Sequence, residues 1–334
     1  MKIFINSHYL LRVTTGLSRY ARQVGLTFAC YDVRHVRAPT VLYKFRLLRF
    51  ISIFLLELIA PTLLLIFYRR SVHISPAFSV PIFATERNIV VVHDLAFIEF
   101  ESDYGLHERL YQKFNLWLLC RSRSRIVTPS LYVKTQLEEV LKIRSDRITV
   151  VSPYSELSVT LASEQPRDRY FCLLSTGHPR KNIDATVNGF LASNASKSGI
   201  KLYLIGNFEV PLQLDDVPSI SRFSGIDDES LARLISGSEA LLLFSKSEGF
   251  GFPVVEAASL GVPTLTSNVT SLIEINGTMD ANATFISCED IRVKINRFIS
   301  DSVYRKSLSA NVARLNNKYS KSSFEEKWRA LVDG

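Results

Sequence analysis

The chain has 334 residues, long enough for two domains, with 47% hydrophobic and 22% charged residues, the balance of a globular, core-forming protein. Its formal charge of +8 suits an anionic partner: nucleic acid, an anionic membrane or phosphorylated small molecules. Its four cysteines, Cys30, Cys120, Cys172 and Cys288, lie far apart with no Cys-x-x-Cys spacing, which argues against a zinc site or a disulfide framework and fits a reducing compartment.

Residues 2–6 predict a buried first strand, and the apolar run there is too short for a signal peptide. Residues 14–20 read Thr-Thr-Gly-Leu-Ser-Arg-Tyr and turn into a helix reaching about residue 28. Gly16 stands in the first loop, where a doubly wound sheet places its ligand. No Gly-x-Gly-x-x-Gly occurs here, so the nicotinamide or flavin fingerprint is absent.

Residues 50–68 hold a single charge, Glu57, and a single proline, Pro61, with Arg46 and Arg49 before them and Arg69 and Arg70 after. The length would allow a bilayer span. Glu57 at midplane and Pro61 inside a helix argue instead for a helix lying on anionic headgroups. A core helix without lipid contact is the third reading.

Strands are expected at 72–75, 88–92, 125–128 and 148–151, with helical patterns at 104–120 and 130–141, and such alternation predicts a parallel sheet. His93-Asp94 follows the apolar run Ile89-Val90-Val91-Val92. It stands either where a ligand binds or as a histidine satisfied by Asp94 or a carbonyl.

Residues 155–168 are polar and aperiodic, and read as a linker between domains at 1–154 and 169–318. Further strands are expected at 170–175, 201–205, 222–224, 240–244, 263–266 and 284–286. Gly177-His178-Pro179-Arg180-Lys181-Asn182 follows the first of these and precedes a helix. Arg180 and Lys181 there can clamp a diphosphate, the one as a planar fork and the other as a point charge.

Residues 245–267 read Ser-Lys-Ser-Glu-Gly-Phe-Gly-Phe-Pro-Val-Val-Glu-Ala-Ala-Ser-Leu-Gly-Val-Pro-Thr-Leu-Thr-Ser. Gly249 and Gly251 form a loop, Pro253 suits a first helical turn, residues 254–260 make the helix and Gly261 ends it. Free N–H groups at that helix mouth suit phosphate or polarised sugar oxygens, and Glu248 and Glu256 can both face them. Residues 319–334 predict a final amphipathic helix with Phe324, Trp328 and Leu331 on one face.

The block from Glu248 to Glu256 resembles the Glu-x7-Glu motif of retaining glycosyltransferases of the GT-B fold, family 4. Gly-Leu-Ser-Arg-Tyr, Val-Val-Val-His-Asp-Leu, Val-Thr-Pro-Ser, His-Pro-Arg-Lys-Asn and the closing Phe-x3-Trp resemble further motifs of that family in the same order. The nearest subgroup looks like bacterial mannosyl- and rhamnosyltransferases of O-antigen, capsule or exopolysaccharide.

The resemblance implies an α/β fold of two Rossmann-like, doubly wound domains facing across a cleft, with the C-terminal helix returning toward the N-terminal domain. It implies a nucleotide-sugar donor, GDP-mannose favoured, and a saccharide or polyprenyl-diphosphate-linked acceptor. It also implies no cofactor and no metal, and peripheral attachment to the cytoplasmic face of the inner membrane; no nucleic acid partner is expected, because the sequence has no aromatic-basic recognition module.

By the same resemblance, Glu248 holds sugar hydroxyls, Glu256 the ribose, and His93 the donor sugar or reacting centre. Arg180, Lys181 and the N–H groups of Gly249, Phe250 and Gly251 hold the diphosphate. A GT-B nucleotide-sugar epimerase, a rhamnosyl-, glucosyl- or GlcNAc transferase of the same family, and an inactive assembly subunit are the alternatives. Asp227-Asp228 reads as a helix cap rather than a metal motif.

Overall fold

The computed structural model describes residues 2–6, 16–36, 55–68, 70–158, 168–208, 217–277, 284 and 286–334. The chain divides into two compact units: Met1–Pro153 with Ser322–Gly334, and Tyr154–Lys321.

The first unit holds six strands: β1 Lys2–Asn6, β2 Asp32–Val36, β3 Ser71–Ser75, β4 Asn88–Val91, β5 Arg125–Thr128 and β6 Ile148–Val150. They form one sheet of order β2-β1-β3-β4-β5-β6, and every pairing is parallel. β3 and β4 are buried at every residue, as a parallel sheet covered on both faces requires. β2, Asp-Val-Arg-His-Val, is absent from the strands expected above. Among the described residues it pairs only with β1; it lies half in solvent and ties Arg34 to Asp32, so it carries no apolar run to announce it.

Helix Lys321–Asp333 belongs to this unit and inserts Phe324, Trp328 and Val332 into it. The ring of Tyr20 meets Phe324 and Trp328 edge-on at 5.4 and 6.4 Å, and its hydroxyl donates to the Val151 carbonyl at 2.9 Å. Leu331 was expected on this face. The buried residues instead step by four, and Val332 takes the place while the Leu331 carbonyl accepts from Arg125.

Within the apolar stretch 50–68, a π-helical segment Leu55–Ile59 leads into helix Ala60–Phe67. Pro61 falls in the first turn of that helix, where its missing N–H breaks nothing. Residues 50–54 lie outside the described residues, as do Arg46, Arg49 and Arg69. Among the described residues no helix is long and apolar enough to cross a membrane.

The second unit holds β7 Tyr170–Leu174, β8 Lys201–Ile205, β9 Ile220–Phe223, β10 Ala240–Leu243 and β11 Thr264–Thr266, in the parallel order β11-β10-β7-β8-β9. The two-residue period of β7 sends Tyr170 and Cys172 into one apolar cluster and Phe171 and Leu173 into the other, so helices cover both faces. Thr284 and Ile286 form no strand. Their carbonyls accept single bonds from Asn268 N and Asn182 Nδ2 rather than a ladder. Of the expected linker, residues 159–167 lie outside the described residues, and Leu157 is buried in the second unit's core.

Candidate functional site

In the second unit the carboxyl ends of β7 and β10 each open into a loop, and such ends are where parallel sheets bind ligands. After β7 comes a single 3-10 turn, Pro179–Lys181, and then Asn182 with φ 55°, a left-handed conformation that asparagine tolerates. The Asn182 amide donates to the Phe244 carbonyl at 3.1 Å and to the Ile286 carbonyl at 2.7 Å. The Lys246 N–H donates to the Arg180 carbonyl at 2.8 Å. These bonds hold the Arg-Lys turn against the loop after β10.

That contact places Lys181 beside Glu248, 67 positions away in the chain. Lys181 Nζ lies 2.6 Å from Glu248 Oε1, and the Ser245 hydroxyl donates to the same oxygen at 2.7 Å. The side chains of Lys181 and Glu248 are 15% and 6% exposed. A carboxylate this deep needs a counter-ion and hydrogen bonds, and it has both. The backbone of Glu248 is fixed as well. Its N–H donates to Thr270 Oγ1 at 2.9 Å, and the Ser271 hydroxyl lies within bonding range of the Glu248 and Phe250 carbonyls.

Gly251 then takes φ 100° as the residue before helix Phe252–Ser259. A Cβ there would come within 2.8 Å of Leu272 Cδ2, so close approach as well as the turn requires glycine. Pro253 stands in the first turn. The helix ends in a Schellman pattern: Gly261 at φ 81° donates to Ala258, and Val262 donates to Ala257. Glu256, inside the helix, is buried. The Phe250 ring packs on Phe252 and Tyr319 at 5.7 and 5.3 Å, so only its backbone is turned to other use.

Supporting residues absent from the expected site are Ser245, Asn182, Thr270, Ser271 and Lys294. Lys294 is buried, and its ammonium donates to the Thr266 carbonyl at the end of β11, at 2.9 Å. The Ser267 hydroxyl, next in the chain, donates to the Ser245 carbonyl. Ser245 lies three residues before Glu248 and Asn182 closes the His-Pro-Arg-Lys-Asn string, both visible in the sequence; Thr270, Ser271 and Lys294 come from more distant segments and carry no local signal.

His93 lies in the first unit, just beyond β4. Its Nε2 is 2.7 Å from the Pro76 carbonyl, and its ring meets Tyr20 edge-on at 5.0 Å. A carbonyl only accepts, so Nε2 carries the proton. Burial lowers the pKa, which leaves the ring neutral near pH 7 with Nδ1 as an acceptor. Both readings of this histidine therefore hold in part: it is satisfied by a carbonyl, yet it keeps a lone pair. Gly16 is the first residue of helix Gly16–Thr27, and Arg70 is exposed in the turn before β3. Asp227 caps helix Asp228–Ser236, accepting from Ser230 N at 2.7 Å. Among the described residues no three His, Cys, Asp or Glu side chains converge as a metal site would need.

Residues 163–315 match the model of the family described as glycosyl transferases group 1. The O-antigen chain mannosyltransferase B of Escherichia coli is 26% identical over 263 residues, 73% of this chain and 69% of that one. The serotype-specific mannosyltransferase WbdA of Escherichia coli is 27% identical over 164 residues, 46% of this chain but only 20% of WbdA, so the chain spans about a fifth of that relative. Among solved structures, WaaG, a glycosyltransferase involved in lipopolysaccharide biosynthesis, superposes with TM-score 0.71 at 14% identity, over the whole of both chains.

Proposed function

We propose that this chain, which carries the GT-B fold and over residues 163–315 matches the model of the group 1 glycosyl transferases, is a retaining hexosyltransferase that takes mannose from GDP-mannose. Its acceptor is a saccharide carried on a polyprenyl diphosphate, and the protein works at the cytoplasmic face of the inner membrane. Mannosyltransferases recur among the relatives, which favours that sugar.

One observation carries the reading: the buried Lys181–Glu248 pair at the carboxyl end of the second sheet. An ammonium has three donors. One meets Glu248 Oε1, and the others can turn to phosphate oxygens. Arg180, on the same turn, supplies a planar fork. Breaking the bond between sugar and diphosphate puts negative charge on the leaving phosphate and positive charge on the ring. Lys181, Arg180 and the N–H groups of the loop at Gly249 to Gly251 offset the first. Glu248, held by Lys181 and Ser245, presents a fixed carboxylate to the sugar hydroxyls. Glu256 binds the ribose. His93 offers Nδ1 as an acceptor to a hydroxyl of the reacting sugars. With no nucleophile assigned, the acceptor hydroxyl attacks on the leaving-group face, which preserves configuration. No step in this scheme calls on a metal.

A panel of nucleotide sugars read by thermal shift tests this, because a bound donor raises the midpoint by mass action. GDP-mannose is expected to give the largest shift, and Lys181→Ala to remove it. A larger shift from another nucleotide sugar would replace the donor, and no shift with any would sink the reading.

A further inference from the structure

Helix Leu106–Arg121 is long enough to cover the first sheet, and its inner side does so. Leu118 and Leu119 join Leu58, Val90 and Val92 in one apolar cluster, and Asn115 Oδ1 accepts from Val80 N at 2.8 Å. Its outer side is the anomaly. Leu106, Leu110, Phe114 and Trp117 follow one another at steps of four, four and three, so they form one stripe. Their exposures are 59%, 57%, 39% and 49%. A helix covering a sheet ordinarily turns polar residues outward, and this one turns a second apolar face to solvent.

The stripe has chemical detail. Phe114 and Trp117 stack at 5.9 Å, and the Arg121 guanidinium lies 4.4 Å over the Trp117 ring. Residues 109–123 contain Arg109, Lys113, Arg121 and Arg123 and no acidic residue. Glu101 engages Arg109 and Lys113 at the start of the helix, while Arg121 and Arg123 stand exposed at its end. In the same unit helix Ala60–Phe67 exposes Leu63, Ile66 and Phe67. Leu58, just before that helix, is buried in the cluster that receives Leu118 and Leu119.

We propose that the outer stripe of helix Leu106–Arg121 is a docking surface for an anionic lipid bilayer. The occupant follows from the combination. Aliphatic side chains enter the acyl boundary, tryptophan prefers the headgroup layer, and single-signed positive charge at one end of the stripe meets lipid phosphate. The inference rests on the proposed lipid-carried acceptor and adds a surface to the Arg-flanked stretch 50–68.

The chain has two tryptophans, and Trp328 is fully buried, so a change in tryptophan emission on lipid reports Trp117. Vesicles of equal parts phosphatidylglycerol and phosphatidylethanolamine are expected to shift the emission to the blue, and brominated acyl chains to quench it. Trp117→Phe removes both signals. The double variant Leu110→Gln/Phe114→Gln is expected to weaken vesicle binding by about tenfold or more. Because neither side chain belongs to the buried core, its melting midpoint falls by little and nucleoside diphosphate binding stays as in the parent chain.

If the parent binds vesicles, Trp117 emission is unmoved and the double variant binds as tightly, docking lies elsewhere; this inference falls and the lipid-carried acceptor stands. If the parent does not bind vesicles at low salt, both fall. A blue shift that grows with protein concentration without vesicles, with a dimer in sedimentation, makes the stripe an interface between copies and overturns the proposal.

Discussion

The two units are built on the same plan, a parallel sheet covered by helices, yet they bury different chemistry. In the second, Glu248, Glu256 and Lys294 are buried, and Lys181 lies nearly so against Glu248. Among the described residues of the first, the buried polar groups are hydroxyls, amides and a histidine, with no carboxylate, ammonium or guanidinium among them. His73 in β3 is fully buried, has no hydrogen-bond partner on either ring nitrogen among the described residues, and burial pushes its pKa down to about 3. Charge can be held in a protein interior only with partners already in place. The second unit has assembled those partners around one carboxylate, Glu248, with Lys181 and Ser245 on the same oxygen. The surfaces of the two units differ in the opposite sense: apart from Ile273, Val293 and Val303, the large apolar side chains left exposed among the described residues belong to the first unit.

The sharpest way to break this contrast is Glu248→Gln, which keeps the shape and removes the charge. Turnover of donor is expected to fall by roughly two to three orders of magnitude, the range seen when one preorganised polar group is lost from a reacting centre. The melting midpoint should fall too, because Lys181 is left without its counter-ion. Adding Lys181→Met should restore the midpoint without restoring turnover. Recovery of both would make the pair structural only.

Acid should act next most strongly, and through the first unit. The folded-state pKa of His73 lies below the unfolded value of 6.5, so the stability tied to its neutral form is complete above that value and is lost as pH falls toward about 3. From about pH 7 to about pH 4 this amounts to roughly 3 kcal/mol. Denaturant titrations at both pH values should show that loss, and His73→Leu should shrink it. An unchanged loss would assign the acid sensitivity to other groups.

Lys181→Ala should weaken nucleoside diphosphate binding by about ten- to a hundredfold, the worth of a charge-assisted contact, measured by calorimetry. Acceptor affinity should be unaltered, and a loss confined to the acceptor would reverse the roles of the two units. The smallest effect belongs to Ser130, whose hydroxyl accepts from Val133 N at 3.2 Å to cap helix Leu131–Glu139. Ser130→Ala should lower stability by about 1 kcal/mol with donor binding intact. A change in donor affinity would show that the units are energetically coupled.

The elements with strong local signals were legible in the chain itself. Apolar runs of strand length bounded by turn residues predicted β1, β3, β7, β8 and β10 to within a residue or two. The glycine that turns into helix Phe252–Ser259, the proline in its first turn and Gly261 past its end were readable because backbone angles depend on the residue itself. Chemical types were readable for the same reason: a Lys, an Arg and Glu248 stand beside turns at strand ends, with Glu256 in the helix that follows.

What required the fold was every decision made between distant segments. The sequence contains Lys181 and Glu248, but that they share a 2.6 Å bond depends on two strand ends lying side by side and on Asn182 bridging them. β2 was invisible because an edge strand is specified by its one neighbour rather than by its own apolar pattern. Val332 rather than Leu331 is buried because the partner surface, with Tyr20 at its centre, selects the helix face. The outward stripe of helix Leu106–Arg121 is the same lesson in reverse. Its leucines and aromatics look like core residues, and only the packing of Leu118 and Leu119 against the sheet shows that they point the other way. Backbone preference acts over a few residues, whereas burial and charge pairing act through space, and the chain order carries no record of which distant groups will meet.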